Sequence, residues 1–288
     1  MKILFAIPNY YNPKGGGVYA SLKPDPTPRI QALTQQIISL HQLFGQFQLK
    51  ADLRTRNMVK VNEAEKNELS VVICTTKGHH LLDSISLPKD LWNHHATDAE
   101  PMLLGFECQS VLRDSIGRYD YYCFLEDDLI LHDPSFFSKL KWFTIIAGES
   151  SLLQPNRYEI AVYNVIVKAY IDYESADEND NHIKYQNVKE IPSVNGVSFG
   201  SPVFFVRPRN PHSGCYFLNA GQMEYWAKQP YFLDRDTGFV GPLESAATLG
   251  IMRTFRVYKP EHRNADFLEI QHYGNVYASK LINMCNKK

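Results

Sequence analysis

Apolar positions in this chain come in two kinds, short unbroken runs and runs that recur with a helical period. Ile3 to Ile7 is unbroken and stops at Pro8-Asn9, as a buried strand opening into a loop does. Leu69 to Thr75 and Tyr121 to Leu125 repeat that pattern. Between the first two runs Ile30, Leu33, Ile37, Leu40 and Phe44 follow helical spacing, with Thr27 as N-cap, Pro28 in the first turn and Gly45 as the stop. A second helix is predicted from Pro101 through Leu104, Cys108, Val111 and Leu112 to Ile116. Strand and helix alternate, which predicts an α/β fold on a mostly parallel sheet, with ligand sites beyond the carboxyl ends of its strands.

The second half reads as strand-rich. Ile160 to Ile171 and Val197 to Val206 concentrate Val, Ile, Phe and Tyr, and a helix is predicted at Ala220 to Ala227. The hydrophilic stretch from Asp172 to Glu190 reads as a solvated loop. Its Asp177-Glu178-Asn179-Asp180-Asn181 opens like a calcium loop, but His182 stands where glycine is needed and Val188 where glutamate is needed, so an EF-hand is rejected. No internal repeat is visible.

Composition narrows the class. Of 288 residues, 44% are hydrophobic and 21% charged, which suits an ordinary globular chain with a sizeable core. A net charge of −1 argues against a general nucleic-acid binder, whose phosphate-tracking face would carry excess Lys and Arg. The five cysteines are scattered and form no C-x-x-C pair. With no long apolar run and too short a leader at Met1 to Pro8, the expectation is a reducing, cytoplasmic setting without a membrane span.

The most informative segment is Phe124-Leu125-Glu126-Asp127-Asp128-Leu129-Ile130, three acids set into core strand. Carboxylates there need solvent or a cation, because burying them uncompensated is costly. In an extended chain Glu126 and Asp128 point one way and Asp127 the other. Hard oxygen donors without sulfur favour Mg2+ or Mn2+, which also bind phosphate oxygens.

On this segment the sequence resembles the nucleotide-sugar glycosyltransferases of the A-type (GT-A) fold, whose hallmark is a D-x-D-like motif at the end of an apolar strand. The resemblance covers the order of elements along most of the chain and implies a single Rossmann-like domain, a mixed, mostly parallel sheet flanked by helices. Residues 1–135 would form the nucleotide-sugar half and 136–288 a strand-rich acceptor half. It implies a Mn2+ or Mg2+ ion held by Glu126, Asp128 and the late His272, with Asp127 toward the donor. The loops Pro8-Asn9-Tyr10-Tyr11 and Thr75-Thr76-Lys77 would meet the nucleoside, and Arg113 a phosphate or a carboxylate. Glu244 is the implied base of an inverting enzyme, with Asp236 and Asp234 as alternates, although Ser245 replaces the second acid of the family's usual pair. Tyr216, Phe217, Tyr225, Trp226, Tyr231 and Phe232 suit either the acceptor's sugar faces or the core.

The activity so implied is hexosyl transfer from a nucleoside-diphosphate sugar, UDP foremost, to a carbohydrate hydroxyl, in carbohydrate biosynthesis. Two rivals stand beside it. A sugar-nucleotide pyrophosphorylase would need a glycine-rich G-x-G-T-R-like loop where Pro8-Asn9-Tyr10-Tyr11 stands, and a non-catalytic carbohydrate or nucleotide-binding protein would keep the aromatics without needing the acids. A two-lobed B-type transferase would need a second α/β half, which the strand-rich remainder does not offer.

Overall fold

The computed structural model describes residues 1–16, 19–64, 66–162, 165–172 and 184–285. Along the chain run β1 (Lys2–Pro8), α1 (Thr27–Phe44), β2 (Leu49–Asp52), β3 (Asn57–Lys60), β4 (Glu68–Thr76), β5 (Asn93–Thr97), α2 (Leu104–Arg113), β6 (Tyr121–Leu125), β7 (Leu129–Ile130), α3 (Phe136–Ala147), β8 (Ser151–Leu153), β9 (Asn156–Val162) and β10 (Ile166–Tyr170). There follow β11 (Ser193–Ser198), β12 (Ser201–Val206), β13 (Cys215–Asn219), α4 (Ala220–Ala227), α5 (Pro242–Glu244), a π-helical turn (Ser245–Leu249), α6 (Gly250–Thr254), β14 (Arg256–Pro260), β15 (Glu269–His272) and α7 (Val276–Cys285).

The five-stranded sheet has the order β13-β6-β1-β4-β5. β6, β1, β4 and β5 are parallel and β13 is antiparallel to β6, so the fold is α/β on a mixed, mostly parallel sheet flanked by helices. β1 is entirely apolar inside: Ile3, Phe5 and Ile7 pack with Leu33, Ile37, Leu40 and Phe44 of α1 on one face. Leu4 and Ala6 pack on the other face with Leu104, Cys108 and Leu112 of α2. Both faces are therefore covered, which is why these strands read as unbroken apolar runs. Gly105 lets α2 approach the π-helical turn, since a Cβ there would collide with that of Ala246.

Two smaller four-stranded sheets, β10-β9-β15-β7 and β11-β12-β14-β8, make up much of the second half. The run Ile160 to Ile171 is not one strand: β9 ends at Val162 and β10 returns antiparallel to it. Val197 to Val206 likewise folds as the hairpin β11–β12, reversed at Phe199-Gly200 with positive φ. The predicted N-cap Thr27 is instead the first helical residue; its backbone N–H is held by Asp25 Oδ1 at 2.9 Å. The α4 prediction holds, with a reciprocal Asn219–Gln222 capping box. The rejected calcium loop at Asp177 to His182 lies outside the described residues. The four cysteines at 74, 108, 123 and 215 are buried free thiols. Among the described residues no helix is long and apolar enough to cross a membrane.

Candidate functional site: the acidic turn at the carboxyl end of the sheet

β6 ends at Leu125, so the three acids do not continue the strand. They form a turn, closed by Leu129 N–H to the Glu126 carbonyl at 3.1 Å, that carries the chain from the main sheet into β7 of the second. Gln36 of α1 fixes the turn from beneath, donating to the carbonyls of Glu126 and Leu129 at 2.6 and 2.8 Å. Gly214, at φ +66°, passes so close that a Cβ on it would lie 2.7 Å from Glu126 Oε2. All three carboxyls thus sit outside the carboxyl ends of β1 and β6, in the crevice where strand order reverses.

The loop after β1 brings one of its expected residues here. Asn9 is fully buried, donates to Asp127 Oδ2 at 2.6 Å and accepts the Leu81 N–H at 3.0 Å, joining the ends of β1, β4 and β6. Pro8 is buried beside it. Tyr10 stands edge-on to His79 at 5.9 Å at the rim. Tyr11 turns inward instead, its hydroxyl on the carbonyls of Lys23 and Pro24, and serves to close its own loop. Thr75 bonds His94 and Thr76 the Ala99 carbonyl, both buried at the end of β4, while Lys77 pairs with Glu100 at 2.5 Å.

The structure supplies a counter-charge that sequence reasoning missed. Arg29, in the first turn of α1, reaches under the turn and pairs with Asp127 through one Nη and with Asp128 through the other, the latter at 2.6 Å. Its Nε is buried without a partner. Burial alone would weaken the guanidinium's hold on its proton, but the charges of Asp127 and Asp128 push its pKa well above the ordinary value. Asp127 is pushed up by burial in spite of Arg29. Asp128 is also raised by burial, yet His272 and Arg29 outweigh that and hold it below the usual carboxylate range. Glu126 has no such pair: burial first, then the charge of Asp128, lift it to about 7.

His272 ends β15 with Nε2 3.6 Å from Asp128 Oδ2 and Nδ1 2.8 Å from the fully buried Glu159. Glu159 in turn accepts the Ala278 N–H at 2.7 Å. Burial opposes protonation of His272, but Asp128 and Glu159 together raise its pKa. A carboxylate holding Nδ1 fixes the ring so that Nε2 faces the acidic turn, the arrangement found behind histidine metal ligands.

Among the described residues no group of three His, Cys, Asp or Glu side chains is arranged to hold a metal ion by itself. Two ligands do fit. Asp128 Oδ1 is buried with no hydrogen-bond partner, and the oriented His272 Nε2 lies beside the same carboxylate. Mg2+ and Mn2+ sites that share substrate phosphates and waters commonly draw only one or two protein ligands. Asp127 does not fit as a ligand, since Asn9 and Arg29 occupy its oxygens.

Beyond the turn lies a cavity of about 180 Å3 lined by Arg157, Ile171, Asp172, Asn210, His212, Glu244 and Tyr277. Tyr277 also packs against His272 at 5.7 Å, and the Arg157 charge acts on Glu126 and Asp128, so cavity and turn are one region. Asp172, taken from sequence as the start of a solvated loop, is instead largely buried. It binds Arg157 Nε at 2.7 Å and Lys259 Nζ at 2.6 Å. Burial would raise its pKa, but these two cations bring it down to about 2.

Glu244 thus faces the region where the acids lie. Its two alternates are spent locally: Asp236 accepts the Gly238 N–H, and Asp234 accepts the Asp236 N–H and pairs with Arg253. Arg113 is not brought to the site. It closes α2 just before the turn that feeds the amino end of β6, paired with Asp114 at 2.8 Å. Of the aromatics, Tyr216, Phe217 and Trp226 are core residues, whereas Tyr225 is 56% exposed.

No known family profile matches the chain, and no curated protein matches it in sequence. Solved structures similar to it include mouse xyloside xylosyltransferase 1 in its apo form, with 11% identity over 96% of this chain and 98% of that one at a TM-score of 0.43. A CMP-2-keto-3-deoxy-manno-octonic acid synthetase complexed with CTP shares 13% identity over 90% of each chain at 0.38. Mannose-1-phosphate geranyltransferase from Thermus thermophilus shares 12% over 90% of this chain and 73% of that one at 0.36. These likenesses are too distant to carry function, which rests on the site's own residues.

Proposed function

We propose that the chain is a glycosyltransferase that takes a sugar from a nucleoside-diphosphate donor, UDP foremost, and passes it to a carbohydrate hydroxyl with the help of Mn2+ or Mg2+. The observation that carries this reading is the acidic turn itself. An unpartnered Asp128 Oδ1 and an oriented His272 Nε2 stand together in the crevice beyond β1 and β6.

In this reading Asp128 and His272 hold the cation, which when bound neutralises charge developing on the departing diphosphate. Asn9 fixes Asp127 at the nucleoside end, and Tyr10 offers a ring to the base at the rim. Arg29, released from the carboxylates, has two Nη groups to offer phosphate oxygens. Glu244, in the adjoining cavity, takes the proton of the acceptor hydroxyl as that oxygen attacks the anomeric carbon, which inverts its configuration.

The test is a calorimetric panel of nucleoside diphosphates with and without Mn2+, on the wild-type chain and on Asp128→Ala. Metal-dependent binding lost in the variant supports the reading; no nucleotide bound under any metal condition overturns it. Glu244→Gln separates the rivals, because it should cut transfer by roughly 10²–10⁴-fold while nucleotide affinity stays, a split that a binding protein would not show.

A further inference from the structure

β2 and β3 form a two-stranded ribbon that pairs with no other sheet. Its base is fastened: Gln48 Nε2 donates to the carbonyls of Gln42 and Leu43 at the end of α1, and Asn62 Nδ2 donates to Gln48 Oε1 at 2.6 Å. Its tip is formed too, with Asp52 Oδ1 accepting the N–H groups of Arg54 and Thr55. The ribbon is therefore a built projection on the surface.

Opposite residues of an antiparallel pair share a face, so Leu49↔Lys60 and Ala51↔Met58 put Leu49, Ala51, Met58 and Lys60 on one side, with Lys50, Val59, Asp52 and Asn57 on the other. Phe47 and Leu53 lie just outside β2, at the base of the ribbon and in its tip turn. Phe47 and Leu53 are each 87% exposed and Met58 59%, so among the described residues these apolar side chains are left largely uncovered. The ribbon also carries Lys50, Arg54, Arg56 and Lys60, all exposed, against the single carboxylate of Asp52. In a chain whose net charge is −1, that is a local concentration of cations.

We propose that this ribbon docks the protein on an anionic phospholipid surface, Phe47 and Leu53 entering the headgroup region and the four cations meeting lipid phosphates. Exposed apolar side chains ringed by Lys and Arg are the composition that binds such an interface. Charge selects this occupant over a second copy of the chain, because a symmetric dimer through the same face would set Lys60 and the tip arginines against like charges. The surface is independent of the acidic turn and stands whether or not the proposed transfer does.

Vesicle co-sedimentation tests it, with phosphatidylcholine alone and with a phosphatidylcholine–phosphatidylglycerol mixture. The wild-type chain should sediment with the mixed vesicles, release in high salt and ignore the neutral ones. Leu53→Asp with Phe47→Ser, and separately Lys50→Gln with Arg54→Gln, Arg56→Gln and Lys60→Gln, should each weaken partitioning at least about tenfold. Both variants leave the core untouched, and an unchanged melting temperature verifies that. Equal binding to both vesicle types, binding that survives both variants, or no binding by the wild type overturns the proposal. So does a dimer in light scattering that Leu53→Asp dissolves.

Discussion

Asp172 and Glu126 are largely buried carboxyls that feel the same guanidinium, Arg157, yet they titrate in opposite directions. Asp172 accepts from Arg157 and Lys259, so both its oxygens are paired and its pKa falls to about 2. Glu126 forms no ion pair among the described residues, and burial first, then the charge of Asp128, lifts its pKa to about 7. In the first cluster both carboxylate oxygens are satisfied within the protein. The second is incomplete at Asp128 Oδ1, while Arg29 pairs with Asp127 and with the other oxygen of Asp128. Perturbation of both kinds marks buried charge, but only the unfinished kind leaves bonds for something else to make.

The comparison breaks most visibly at Asp172. Asp172→Asn removes one partner of a buried network and strands Arg157 and Lys259, so a denaturant titration should show a loss of about 3–5 kcal/mol. Asp128→Asn should cost less stability, because Asp127 keeps Arg29 paired, while donor turnover drops roughly 10²–10³-fold, the scale for losing one element of charge stabilisation. If Asp128→Asn unfolds the chain instead, the two clusters are alike and the distinction fails.

A subtler pair of outcomes concerns acid. Glu126 holds its proton more tightly folded than unfolded, so in cation-free buffer its contribution to stability is complete below about pH 4.5 and is lost as pH rises through about 7. Asp172 does the opposite, contributing above its ordinary value of 3.8 and failing as pH falls through about 2. Glu126→Gln should therefore flatten the stability profile between these higher values without touching the acid limb. The smallest effect is expected at Arg29. Arg29→Gln, which releases Asp128 Oδ2, should tighten Mn2+ binding to the nucleotide-free protein roughly fivefold, measurable from the free-Mn2+ paramagnetic signal.

Much of the main sheet was legible because both its faces are covered: β1, β4 and β6 had to be unbroken apolar runs. The acidic triplet was legible for the converse reason, since acids next to core strand need an explanation. Three things were not. Arg29 looks like an ordinary surface arginine, because nothing local in a sequence says that a cation reaches a carboxylate 99 residues away. It could have been sought as the counter-charge that buried acids require. Asp172 was hidden by its acidic neighbours, which suggest solvent. The two hairpins in the second half were hidden by continuous β-branched and aromatic content, which gives strand but not the reversal within it.

The acidic turn is assembled from Asn9, Arg29, Gln36, Glu126 to Asp128, Glu159, Gly214 and His272, so its parts come from both ends of the chain. Closing such separations costs entropy before any contact returns it, which places the site among the last structures to form. Core strands can pair while the turn is still open. In a refolding experiment, nucleotide binding should then appear with the slowest phase, later than helical signal, and competence would report that the whole chain has arrived.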